Sequence, residues 1–144
     1  MRFKPTGDVE INVGVLGNSN EVLWEFRDFL VNLEAEEEYK ISMMLAKDQE
    51  TILRVMSFIP GGFDLMIVAD RLPGMVCSAL TDKALKCNAD LRILLRSGSE
   101  MEFVDNLYPN IMFVPNRDRL KILTKEKIDN LIAEKTTEEE KENE

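Results

Sequence analysis

Short runs of β-branched and aliphatic residues alternate along this chain with longer segments whose apolar residues recur at helical spacing, the pattern of a parallel sheet wound with helices. Five runs read as strands: Ile11–Leu16, Tyr39–Leu45, Asp64–Ala69, Leu91–Leu95 and Ile111–Val114. In the third, Leu65-Met66-Ile67-Val68 is continuously apolar, as a central strand covered on both faces requires. The turn Gly17-Asn18-Ser19-Asn20 suits a tight strand-to-helix connection. Asn18 with Glu21 three residues on has the spacing of a capping box, and Val22, Phe26, Phe29, Leu30 and Leu33 then line one helical face. Asp48 caps a second helix with a face of Ile52, Val55, Met56 and Ile59, stopped by Pro60-Gly61-Gly62.

A third helix runs through Val76, Leu80 and Leu85. Ser99-Glu100-Met101-Glu102 opens a short fourth one that ends near Pro109, and the last helix starts at Thr124 with Ile128, Leu131 and Ile132 on one side. Between the fifth strand and Thr124 lies a long connection, Asn116–Leu123, in which Leu120-Lys121-Ile122-Leu123 has the makings of an extra turn or an edge strand. The organisation expected is an N-terminal extension over 1–10, one domain over 11–134, and an acidic, disordered tail over 135–144.

With 144 residues, 44% hydrophobic and 31% charged, the chain is long enough to bury a core of its own. The net charge is −9, and the tail's five Glu against two Lys leave −6 for the rest. No stretch concentrates Lys and Arg without interleaved acids, which argues against nucleic acid as a partner. There is no histidine, so a zinc site of the usual kind, a histidine general base and a serine–histidine–aspartate triad are excluded. Cys77 and Cys87 do not form a Cys-x-x-Cys pair and read as buried free thiols. Met1–Glu10 lacks the apolar core of a secretory signal, and no run approaches the roughly 20 apolar residues that span a bilayer, so the expected location is the cytoplasm, away from membranes.

Ligands of an open α/β sheet collect outside the carboxyl ends of its strands. Here those ends carry Gly17-Asn18, Ala69-Asp70, Ser97 and Val114-Pro115. The stretch Phe63-Asp64-Leu65-Met66-Ile67-Val68-Ala69-Asp70-Arg71-Leu72-Pro73-Gly74-Met75 resembles the response-regulator receiver superfamily. Its third strand opens with an Asp, runs through four apolar residues to a phosphoacceptor Asp, and continues into a Leu-Pro-Gly-Met turn. The resemblance, which covers about Ile11 to Pro115, implies a flavodoxin-like (βα)5 fold: a doubly wound parallel five-stranded sheet of strand order 2-1-3-4-5, with a shortened fourth helix. Counted from Asp64 or from Leu72-Pro73-Gly74-Met75, Ala69 falls on the phosphoacceptor position. The acidic pair that holds magnesium falls on Gly17 and Asn18, the switch Ser/Thr on Ser97, and the phosphoryl-pairing Lys on Val114. Four of these positions have lost the required chemistry. The resemblance therefore implies a degenerate pseudo-receiver with no catalytic residue, no metal and no cofactor, which acts by binding protein partners. The shortened helix and the long Asn116–Leu123 connection both alter the last-strand face that receivers commonly use for such contacts.

Two other readings compete. Asp70 stands one residue past the acceptor position, so a bulge in the third strand would make it the acceptor, whereas its ordinary role is a loop Asp pairing with Arg71 or capping a turn. Gly14-Val15-Leu16-Gly17-Asn18-Ser19-Asn20 would make the chain a small-ligand or nucleotide binder if the turn at Gly17–Asn20 cradled a phosphate, yet it lacks the third Gly of a dinucleotide loop and the Gly-Lys ending of a P-loop. Met43, Met44, Met56, Met66, Met75, Met101 and Met112 fit core positions for the most part. Trp24, if exposed, anchors a partner, and Tyr108, Pro109 and Met112 form a second candidate contact patch. Homodimerisation through the last helices is a further expectation.

Overall fold

A computed structural model describes residues 9–59, 62–69, 77–96, 111–114 and 116–142. Five parallel strands, β1 (Glu10–Leu16), β2 (Lys40–Ala46), β3 (Leu65–Val68), β4 (Arg92–Arg96) and β5 (Ile111–Val114), form one sheet in the order β2-β1-β3-β4-β5. The described helices are α1 (Asn20–Glu37), α2 (Gln49–Met56), α3 (Cys77–Cys87) and α4 (Arg117–Glu142). The strands match the periodicity to within a residue at either end. The expected short helix before β5, with Tyr108 and Pro109, lies outside the described residues, as do Asp70, Ser97 and the turn from Arg71 to Met75.

The period-2 alternation of the strands sorts the core onto two faces. One face buries Ile11, Val13, Val15, Leu65, Ile67 and Leu94 against Val22, Phe26, Leu30 and Leu33 of α1 and Leu120, Ile128, Leu131 and Ile132 of α4. The other buries Leu16, Met66, Val68, Ile93 and Leu95 beneath Ile52 and Met56 of α2 and Ala84 of α3. All four residues of β3 are buried, so its unbroken apolar run reflects cover on both sides. Gly14 is required here. A Cβ at that position would stand 2.9 Å from both Ile52 Cδ1 and Phe63 Cε2, so only a bare backbone lets α2 lie this close to β1.

Several local expectations change in the folded chain. Ser19, not Asn18, is the N-cap of α1: its extended backbone turns its hydroxyl onto the Val22 N–H at 3.3 Å, and Asn18 is left exposed. Cys87 is an exposed free thiol, because it ends α3 on the solvent side, rather than a buried one. Of the two expectations for the connection Asn116–Leu123, an extra turn or an edge strand, the first holds: it forms the opening turns of α4, which begins at Arg117. Asn116 caps it, accepting from the Arg119 N–H at 2.8 Å, and Leu120 is fully buried. Thr124 stands inside the apolar stripe and looks like a helix start in the sequence; its buried hydroxyl instead donates to the Leu120 carbonyl at 2.7 Å, so the helix passes through it. At the other end α4 continues past Lys135, where the tail was expected to begin, to Glu142.

Candidate functional site at the carboxyl ends of the strands

Gly17 and Ala69 leave adjacent strands side by side. The Gly17 N–H donates to the Ala46 carbonyl at 3.1 Å and the Ala69 N–H to the Leu16 carbonyl at 2.8 Å, which extends the ladder one residue beyond β1 and β3. Both residues are buried, Ala69 completely. A Cβ on Gly17 would meet Leu23 Cδ2 at 3.1 Å and Val22 Cγ1 at 3.2 Å, two side chains that are themselves almost fully buried. Val114, which ends β5 opposite Arg96, is also fully buried. Ala69 and Val114 belong to the same hydrophobic cluster as Val22 and Leu23. The end of the sheet where ligand chemistry would gather is thus the upper layer of the α1–α4 core, with Asn18 as its exposed polar rim.

Charged side chains stand around this end, among them Arg96, which closes β4 opposite Val114 with its Nε buried. On α1, Glu25 binds Lys121 of α4 at 2.9 Å and lies 3.6 Å from Arg117, and the Lys121 ammonium stands 5.9 Å from the centre of the Phe26 ring. Those contacts tie the start of α4 to α1. At the exit of β2, the Asp48 carboxylate accepts the Thr51 N–H at 2.7 Å and the Thr51 hydroxyl at 2.9 Å, and the backbone hydrogen bond, first among the causes, holds its pKa below the ordinary value.

Two groups of polar contacts escape a reading of the sequence. At the amino end of the sheet, Lys135 reaches Asp64 Oδ2 at 3.0 Å and the Glu10 carbonyl at 3.1 Å, and Asp64 also accepts the Asn12 N–H at 2.8 Å. Where α1 ends and passes into β2, opposite the middle of α4, the Tyr39 hydroxyl donates to Asp129 at 2.6 Å, while Lys125 binds Asp129 at 2.9 Å and Glu37 at 3.7 Å. Burial, followed by that hydrogen bond to a carboxylate, pushes the Tyr39 phenol well above its usual range. Lys125 is raised as well, chiefly by its hydrogen bond to Asp129. The helical spacing of Lys121, Lys125 and Lys135 was the available signal, and it becomes visible once α4 is extended back to Arg117.

No protein-family model and no curated protein sequence matches the chain. Solved structures do. A response regulator receiver domain protein from Clostridium thermocellum superposes with a TM-score of 0.66 over 88% of this chain and 98% of its own, at 14% identity. The response regulator TrrA from Thermotoga maritima, solved with magnesium and beryllium fluoride, gives 0.56 over 84% and 98%, at 23% identity. This chain has the receiver fold.

A pilus assembly-related protein from Burkholderia pseudomallei shares that architecture, with a TM-score of 0.62 over 92% of this chain and 94% of its own, at 13% identity. The strand order 2-1-3-4-5 is the receiver order, and the chain spans nearly the full length of each neighbour. Of the candidate partner residues, Trp24 is 52% exposed on α1 and Met112 is 38% exposed on the edge strand β5. No helix among the described residues is long and apolar enough to cross a membrane.

Proposed function

We propose that this chain is a phosphorylation-independent pseudo-receiver, a cytoplasmic signalling or scaffolding protein that works through protein–protein contact. The observation that carries the reading is the filling of position 17. A Cβ there would already stand 3.1 Å from Leu23 and 3.2 Å from Val22, so any side chain at this position has to press on α1. Magnesium demands hard, charged oxygens in near-octahedral geometry. A glycine without a side chain, an exposed neutral amide at Asn18 and a methyl group at Ala69 do not fit that ion. Val114, apolar and buried, offers no cation to a phosphoryl group in the place that the receiver resemblance gives to a lysine.

Around the turn at Gly17–Asn20, the N–H of Gly17 donates to the Ala46 carbonyl and those of Val22 and Leu23, just beyond it, to Ser19 Oγ and the Ser19 carbonyl, which takes these three from the donors open to a phosphate. Trp24 and Met112 are the described side chains proposed to meet a protein partner. Magnesium with beryllium fluoride, the mixture bound by TrrA, provides the test. Amide spectra recorded with and without it should superpose. A defined set of shifts around Ala69 and Asp70 would overturn the reading and make Asp70 the acceptor.

A further inference from the structure

The outward face of α1 carries a stripe that the core does not use. Asn20, Trp24, Arg27, Asp28, Val31 and Ala35 are all exposed, on the side of the helix opposite Val22, Phe26, Leu30 and Leu33. Trp24 is 52% and Val31 47% exposed, and they are the two large apolar side chains on this face of α1 among the described residues. At 3.6 residues per turn, Val31 falls about 20° from Trp24 and roughly 10 Å further along the axis, so the two form one narrow apolar seam. Arg27 lies about 60° to one side of Trp24 and Asp28 about 40° to the other, at nearly the same height. Within one chain these two adjacent residues pair at 3.2 Å, with side chains 49% and 66% exposed, a contact of little worth in water.

We propose that this face binds a second copy of the same chain, with the two α1 helices parallel about a two-fold axis along the seam. Symmetry decides the orientation. In a parallel pair the left flank of one helix meets the right flank of the other, so each Arg27 comes opposite the partner's Asp28 on both sides of the seam, as flanking charges do in a parallel coiled coil. Trp24 then stacks on the partner's Trp24 and Val31 on the partner's Val31. An antiparallel pair would bring Arg27 against Arg27 and Asp28 against Asp28. Of the two orientations only the parallel one pairs opposite charges, and it exchanges the two weak exposed intrachain pairs, one per copy, for two interchain pairs beside the indole rings. One helix face per copy buries less than the ~800 Å² per partner of a standard interface, so the dimer is weak and reversible. The proposal does not depend on whether the strand-end site takes up a phosphoryl group, and it places the contact on α1 rather than on the last helices.

Sedimentation of the full chain, up to millimolar concentration, tests it. Wild-type protein should pass reversibly from monomer to dimer, with a blue shift in emission from Trp24, the single tryptophan of the chain. Arg27→Asp and Asp28→Arg, both at exposed positions, should each weaken self-association more than ~10-fold, since like charges then meet across the seam. The double exchange R27D/D28R should restore it, and an equimolar mixture of the two single variants should form a heterodimer. A wild-type chain that stays monomeric throughout, or a dimer indifferent to either single reversal, would overturn the proposal.

Discussion

Replacing Lys135 by Met removes one ammonium and keeps most of the aliphatic stem, so its cost isolates the clamp at the amino end of the sheet. That ammonium binds Asp64 Oδ2 at 3.0 Å and the Glu10 carbonyl at 3.1 Å. The Asp64 side chain is only 15% exposed and Lys135 is 33% exposed, which places the pair between the fully exposed and fully buried limits. Exposed pairs contribute ~0–1 kcal/mol, and breaking a buried one costs ~3–5 kcal/mol. Asp64 keeps the Asn12 N–H after the substitution, so its carboxylate is not stranded, and the expected loss is about 1–2 kcal/mol. For a domain of this size that corresponds to a fall in Tm of roughly 3–8 °C. Urea unfolding followed by far-ultraviolet circular dichroism measures it, with Asp64→Asn and the double variant completing a cycle that extracts the coupling. A chain ending at Glu134 should show the same loss, and a chain ending at Thr137 should not. If Lys135→Met stays within ~0.3 kcal/mol of wild type, or if the two truncations behave alike, the clamp does not hold the last helix to the sheet.

Three further outcomes follow from the same geometry. Gly17→Asp should destabilise the chain by about 1–3 kcal/mol in urea unfolding, because Leu23 and Val22 stand 3.1 and 3.2 Å from the added Cβ and must shift, and a charged group is introduced at a buried position; an unchanged midpoint would show that the site retains room for an acid. Tyr39 has its pKa raised in the folded chain, so the stability this provides is complete below the ordinary value of 10.0 and is lost as pH rises beyond it. Spectrophotometric titration should therefore show Tyr39 ionising only as the chain unfolds, and Tyr39→Phe should remove that alkaline component. Asp48, with its pKa lowered, contributes stability above about pH 4 that disappears as pH falls through its folded value; melting temperatures of Asp48→Asn and wild type should converge in acid.

Much of the fold was legible because the strands obey simple rules. The run Leu65-Met66-Ile67-Val68 announces a strand covered on both sides, and the spacing Val22, Phe26, Leu30 and Leu33 announces a helix with one buried face; both stand as expected. The boundary of α4 was hidden by a single polar residue. Thr124 breaks the apolar stripe in the sequence but satisfies its hydroxyl on the Leu120 carbonyl, something only the folded helix reveals. The cap at Ser19 was missed by one position because Asn18 and Ser19 are both good caps, and backbone angles rather than composition choose between them. At the candidate site, the sequence marks Gly17, Ala69 and Val114 as lacking charge. That their surroundings are close-packed is a property of Leu23 and Val22 approaching from α1, which no spacing rule reports. The clamp of Lys135 on Asp64 joins residues far apart in the chain, and neither residue stands in a motif that names the other.

The proposed loss of phosphoryl chemistry from this receiver fold rests on Gly17, Ala69 and Val114, apolar and buried at the strand ends. Amide spectra of the full chain, titrated with magnesium and beryllium fluoride, test this most directly. No saturable shift is expected at Gly17, Asn18, Ala69 or Val114. Saturable shifts at those positions, abolished by Asp70→Asn, would contradict it.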